Sequence, residues 1–194
     1  MFRTSLVVPA LIALGLSGCG GGDTASPAAP RIHEHGGASG LTLPYIEAES
    51  GTLEAPIVVD NDATASGGRC IVVPGEAGKP NGEKAGQPGE KYPARWGAAI
   101  YKFNVPEDGP YRIWGRKFWR DGCGNSFTFV VNGGAPLQFG GDGTYNQWEW
   151  KATPLYSLKK GENTLDVLNR EAGVKLDKII VTRDVDFFPQ DKEE

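Results

Sequence analysis

Apolar and polar residues alternate along most of the second half of the chain, at the two-residue period of half-buried strands. Over 99–105, Ala99, Tyr101, Phe103 and Val105 face one way, Lys102 and Asn104 the other. Tyr111 to Trp119 reads as a second strand with Tyr111 and Ile113 inward. Phe127, Phe129 and Val131 alternate before an Asn132-Gly133-Gly134 turn. Trp148 and Trp150 share a face, and Trp114 and Trp150, lying within strands, are expected in the core. Leu155, Leu165 and Val167 mark two short strands around Lys159-Lys160-Gly161, and Asn169 to Gly173 is a loop into a last strand ending near Val181. Upstream, Ile57-Val58-Val59 and Cys70-Ile71-Val72-Val73 are short apolar runs on either side of the turn Ala65-Ser66-Gly67-Gly68-Arg69. Turns about every eight to twelve residues, with no sustained helical period, predict an all-β domain, a sandwich or barrel.

The pattern fails in two places. From Pro74 to about Arg95 there is almost no apolar residue, and so long a loop in a compact domain is functional or disordered. At the start, Met1-Phe2-Arg3 precedes an apolar run, Leu6 to Leu16, too short to span a bilayer. Leu16-Ser17-Gly18-Cys19 then reads as a lipobox, with Cys19 the acylated residue. Residues 1–19 are thus expected to be a lipoprotein signal peptide and 20–43 a flexible tether, in which His33 and His35 are solvated. The β-sandwich is expected over 44–183 and a polar tail over 184–194. This places the protein at the cell envelope, on an outer membrane or cell surface, held by lipid alone.

Composition narrows the function. A net charge of −4 argues against a nucleic-acid partner. Gly 28 and Pro 14 suit many turns, and five Trp are a rich supply of flat rings. The domain proper has no histidine, which excludes Ser-His and Cys-His nucleophilic arrangements. No phosphate loop or zinc spacing is present.

The candidate chemistry lies in acidic residues. A strand at Tyr45-Ile46-Glu47-Ala48-Glu49-Ser50 puts Tyr45, Glu47 and Glu49 on one face. Two carboxylates side by side repel by about 4 kcal/mol at 4 Å and an effective dielectric of about 20, so a cation between them is useful. Asp177 shares strand parity with Ile179 and Val181 and is an inward carboxylate needing a partner. Such hard oxygen ligands suit Ca²⁺, which would join the first and last strands. With Cys19 spent on lipid, Cys70 and Cys123 remain in an oxidising compartment. Either they are two buried thiols or, the favoured reading, they form a bridge contributing about 4 kcal/mol on the chain-entropy model.

Seven blocks fall in a familiar order: Tyr-Ile-Glu-Ala-Glu at 45–49, Ala-Ser-Gly-Gly-Arg at 65–69, Ala-Ala-Ile-Tyr-Lys-Phe-Asn-Val-Pro at 98–106, Gly-Pro-Tyr-Arg-Ile-Trp-Gly-Arg at 109–116, Asn-Ser-Phe-Thr-Phe-Val-Val-Asn-Gly at 125–133, Trp-Glu-Trp at 148–150, and the run from Gly161 to Thr182. Together, from Pro44 to about Arg183, they resemble the carbohydrate-binding modules of families 6 and 35. These are galactose-binding-like β-sandwiches of jelly-roll type.

The resemblance implies a structural calcium held by Glu47, Glu49, the main chain of Arg69 and Asp177. It implies a sugar site on loops at one end of the sandwich or on a sheet face, where a flat ring covers the apolar face of a pyranose and polar groups read its hydroxyls. The loop-site candidates are Trp119, Tyr145, Trp148 and Asn169, with Tyr92, Trp96, Asp121 and Arg170 behind them. The chain departs from the pattern at Cys70, where an aromatic often stands, and in the insertion at 74–95. Arg120, Lys151 and Arg170 either favour an acidic sugar such as a uronate or are ordinary surface cations. The function expected is non-catalytic binding of a polysaccharide or oligosaccharide. The alternatives are a structural or adhesive protein-interaction sandwich without a working sugar site, and a short hydrolase.

Overall fold

The computed structural model describes residues 45–75 and 97–190. Cys19, the tether, Tyr92 and Trp96 lie outside the described residues. Twelve strands appear in it: β1 Ile46–Glu47, β2 Thr52–Glu54, β3 Val58–Asn61, β4 Arg69–Val72, β5 Ala98–Val105, β6 Gly109–Phe118, β7 Ser126–Val131, β8 Leu137–Gly140, β9 Trp148–Ala152, β10 Tyr156–Leu158, β11 Gly161–Leu168 and β12 Lys175–Thr182. One sheet has five strands in the order β2-β5-β11-β7-β8. The other has seven, in the order β10-β6-β12-β4-β3, with β1 beside β12 and β9 beside β6. Every pairing is antiparallel. The result is the expected β-sandwich.

The core draws alternate side chains from both sheets. Tyr101, Phe103, Phe127, Phe129, Leu165 and Val167 come from the five-stranded sheet, and Ile113, Leu176 and Ile179 from the seven-stranded one. Each such burial is worth about 1.5–3 kcal/mol relative to exposure. Phe129 and Phe139 stack with centroids 4.0 Å apart and planes at 9°.

The opening strand is shorter than expected. Ile46 and Glu47 pair with Ile179 and Lys178, and Ala48–Ser50 then forms a 3-10 turn. The turn carries the chain across to the other sheet, where β2 joins β5. Ala48 is buried beneath it, and its carbonyl accepts the Tyr101 hydroxyl at 2.7 Å. After β12, the segment expected as a polar tail puts Phe188 edge-on against Trp114, centroids 5.3 Å apart, and Arg112 Nη1 donates to the Val185 carbonyl. Trp114 is therefore buried against this segment on the outer face of the sheet, away from the inter-sheet core.

The structure does not join Cys70 to Cys123. β4 and β6 flank β12 on opposite sides, with Val72 and Phe118 both level with Lys175. Two strand spacings separate them, about 10 Å, whereas a bridge needs Cα atoms within about 7 Å. Cys70 lies further back along β4 and Cys123 further on, in the loop after β6. Burial pushes the Cys70 thiol up to about 12.

Candidate functional site

The expected metal ligands meet around the turn before β4. Gly67 and Gly68 take φ of 59° and 76°, a left-handed conformation that glycine adopts without a Cβ clash. The turn they make presents the Ser66 N–H to Asp177. Asp177 is fully buried; Oδ1 accepts Ser66 N at 3.0 Å and Oδ2 pairs with Arg116 Nη1 at 2.6 Å. Glu47 Oε1 lies 3.5 Å from Ser66 Oγ and 3.8 Å from Lys178 Nζ, and Glu49 Oε1 lies 3.5 Å from Arg69 Nε.

The second oxygens, Glu47 Oε2 and Glu49 Oε2, are buried with no hydrogen-bond partner among the described residues. Burial raises the Glu47 carboxyl against the pull of Lys178, and the nearby Glu49 and Asp177 charges raise it further. Burial likewise raises Asp177, outweighing Arg116 and the Ser66 N–H. Bare, buried carboxylate oxygens beside other carboxylates fit a hard divalent cation such as Ca²⁺.

A second group of charges nearby is closed. Asp60, Asp62 and the Cys70 sulfur lie within 4.8 Å of one another. Lys175 Nζ sits 2.7 Å from Asp60 and 2.9 Å from Asp62, and so supplies their cation.

At the end of the sandwich where β4, β6, β8 and β11 finish, several segments converge. Asn169 N donates to the Gly97 carbonyl, Gly173 N to Val73, Asn146 N to Trp119, and Gly141 N to Asn125. Glu171 Oε2 accepts from both Asn125 N and Ser126 Oγ. The Asn169 side chain is 1% exposed, and neither its Nδ2 nor its Oδ1 has a partner among the described residues. An unmet buried polar group costs about 1–3 kcal/mol.

Beneath these loops Lys117, 1% exposed, points inward from β6. Its Nζ meets Asp142 Oδ1 at 3.2 Å, Glu149 Oε2 at 3.7 Å and the Thr144 hydroxyl, and sits 5.4 Å from the Trp119 ring centroid. Asp142 Oδ2 in turn accepts Trp119 Nε1 at 3.2 Å and faces Lys151 Nζ at 3.5 Å. Burial works to raise the Asp142 carboxyl, but the Thr144 hydroxyl, Lys117 and Trp119 together hold it below its ordinary value.

Among solved structures, a family 35 carbohydrate-binding module from Clostridium thermocellum superposes with a TM-score of 0.54 at 16% identity, over 73% of this chain and 98% of the module. The chain has the fold of a family 35 carbohydrate-binding module. An exo-β-1,3-galactanase from Phanerochaete chrysosporium, solved with β-1,3-galactotriose, gives 0.54 at 22% identity over 74% of this chain. A GH26-CBM35 β-(1,4)-mannanase from Podospora anserina gives 0.53 at 17% identity over 77% of it. The chain spans only 30% and 29% of those two enzymes. No protein-family model and no curated protein matches the sequence.

Within this module fold the expected sugar residues separate. Trp119 is 0% exposed and packs between Phe127 and Phe139, so it is a core residue and offers no face to a ligand. Tyr145 is exposed at the loop end, beside Gly122. Trp148 is half-buried on the outer sheet face, edge-on to Phe118 with Arg116 above its ring, and its Nε1 donates to Thr64. Asp121 shapes its own turn by accepting Cys123 N and Arg120 Nε.

The cations proposed for an acidic sugar are each engaged. Arg120 pairs with Asp121, Arg170 with Glu171, and Lys151 with Asp142. Ser66 and Arg116, which hold Asp177, and the Lys117–Asp142 network escaped the sequence reading. The Ser66 contact spans 111 positions, and Lys117 stands in an alternating strand where the pattern gives no reason for an inward lysine.

Proposed function

We propose that the chain is a non-catalytic carbohydrate-binding module, carried on a lipid-anchored leader at the cell envelope through Cys19. It takes a polysaccharide or oligosaccharide at the loop end. The observation that carries this is the Asn169 amide, set where the loops converge, with neither its donor nor its acceptor partnered among the described residues. A sugar hydroxyl donates and accepts at once, and so satisfies both atoms of such an amide. Tyr145, the exposed ring at the same end, supplies the flat apolar surface a pyranose needs. The charge pairing around Arg120, Arg170 and Lys151 favours a neutral sugar at this end.

Ca²⁺ belongs to the same reading. Glu47, Glu49, Asp177 and the main-chain carbonyl of Arg69 would hold it, and its charge would tie β1 to β12 and fix the turn between them. The ion supplies structural charge neutralisation only. Around it, Ser66 orients Asp177 through its N–H, and Arg116 pairs with that carboxylate, opposing the upward push of burial.

A glycan screen in calcium tests the function. We expect binding to a neutral polysaccharide that falls more than about tenfold, or 1.4 kcal/mol, in Asn169→Ala. The same substitution should shift the unfolding midpoint little, because among the described residues the amide has no hydrogen bond to lose. Absence of binding to any polysaccharide, with a partner protein captured instead, would point to the adhesive reading.

A further inference from the structure

The loop 141–147 carries the chain from β8 in the five-stranded sheet to β9 in the seven-stranded one, across the end of the sandwich. Its anchors fall on alternate residues. Asp142 Oδ1 accepts Lys117 Nζ at 3.2 Å and the Thr144 N–H and hydroxyl at 3.3 and 2.8 Å, while Oδ2 accepts the Trp119 indole N–H. The Thr144 hydroxyl in turn accepts from Lys117 Nζ. Asn146 donates its N–H to the Trp119 carbonyl at 2.8 Å, with a φ of 57° that asparagine tolerates. Residues 142, 144 and 146 are thus tied to the end of β6, and Gly143 and Tyr145 between them face solvent. Tyr145 is 39% exposed, and its hydroxyl lies 3.7 Å from where a Cβ on Gly122 would stand. The alternation that pins the loop therefore also turns this ring outward.

Lys117 is 1% exposed. A buried ion pair adds little stability over apolar side chains of the same volume, and its best-attested use is to fix one arrangement among several. A methionine at 117 would fill much of the same space against Trp119, yet would hold neither Asp142 nor Thr144. From this geometry we infer that Lys117 and Asp142 are positioning residues for the Tyr145 ring. They act through the loop and touch no ligand themselves. What the ring then does rests on the loop-end sugar reading; how it is held rests on these contacts alone.

Two measurements test the two halves separately. Hydrogen exchange in the sugar-free, calcium-supplemented chain reads the positioning. Loop amides exchange by local opening and central-strand amides by global unfolding, so a merely structural role would speed only the latter. In Lys117→Met and in Asp142→Asn, the Thr144 and Asn146 amides should exchange about tenfold faster or more. Loop amides unchanged in both variants would overturn the inference. Affinity gels containing galactomannan, β-glucan or dextran read the consequence. Tyr145→Ala should weaken retention about tenfold and Lys117→Met about threefold, but Lys117→Met should cost nothing further in the Tyr145→Ala background, because two residues that act through one ring are not additive. A full additional loss in the double variant would overturn it. If none of the three polysaccharides retains the wild-type chain, the sugar reading falls and the exchange rates alone decide the positioning. If Lys117→Met fails to fold, Asp142→Asn, which keeps the shape of the side chain, carries both measurements.

Discussion

Lys117 and Asp177 stand on strands of the same sheet, both charged and both withdrawn from water at 1% and 0% exposure. Their surroundings differ in completeness. The Lys117 ammonium meets two carboxylates and a hydroxyl, and both oxygens of its partner Asp142 have donors. Around Asp177 the carboxylates are more crowded, and two oxygens, on Glu47 and Glu49, are buried with no hydrogen-bond partner among the described residues. A buried charge persists only when paired and hydrogen-bonded. One cluster satisfies that condition from the chain alone; for the other, the Ca²⁺ proposed above would supply the missing partner.

The sharpest way to break this contrast is to remove the central charge of each cluster. Asp177→Ala takes the buried carboxylate away from the Arg116 guanidinium and the Ser66 N–H, and breaking such a buried pair costs about 3–5 kcal/mol. Lys117→Met should cost less, about 2–3 kcal/mol, because Asp142 keeps Thr144, Trp119 and Lys151 as partners. Urea midpoints with m-values measure both. A Lys117→Met loss larger than that of Asp177→Ala would reverse the ranking of the two clusters.

Removing a metal sharpens it further. With Ca²⁺ at a hundred times its dissociation constant, a ligand that binds only the native state adds about 2.7 kcal/mol, which EDTA would remove. The loss should persist in Lys117→Met and vanish in Glu49→Gln. A melting temperature unmoved by EDTA in the wild-type chain would mean that the bare oxygens of Glu47 and Glu49 hold no ion.

How far these clusters could be read in the sequence follows from what fixes each one. The strands of the five-stranded sheet were legible because burial on one face imposes period two: Ala99, Tyr101, Phe103 and Val105 are buried as the alternation predicts. Asp177 was legible for the same reason, as a carboxylate on the apolar parity of a strand. Glu49 was placed beside Glu47 by strand geometry, but it reaches the cluster from a 3-10 turn. Trp119 stands among the loop-site candidates because aromatic character does not distinguish an exposed ring from a buried one. Its burial follows from Asp142, which accepts the indole N–H from a loop 23 positions away. The Cys70–Cys123 bridge failed on strand order, which cysteine counting cannot supply. Lys117 was unreadable because its partners arrive on β9 and the loop before it.

The smallest expected effect separates the two clusters by acid. Asp142 is held below its ordinary carboxyl value in the folded protein, so between its folded and unfolded values the unfolded chain binds more protons and stability rises with pH. Its contribution is therefore fully present above about pH 4, the unfolded value of an aspartate, and is lost as pH falls through the lower folded value. Urea midpoints of wild type and Asp142→Asn should differ by a constant amount from pH 7 to about 5 and converge below about 4. Asp62, held down to about 2 by Thr64 and Lys175, is untouched by the substitution and gives both proteins the same background slope. Because the comparison is of differences, that shared slope cancels. A gap between the two proteins that does not begin to narrow as pH falls below about 4 would mean that Asp142 is not stabilised as a carboxylate, and that Lys117 owes its buried position to packing against Trp119.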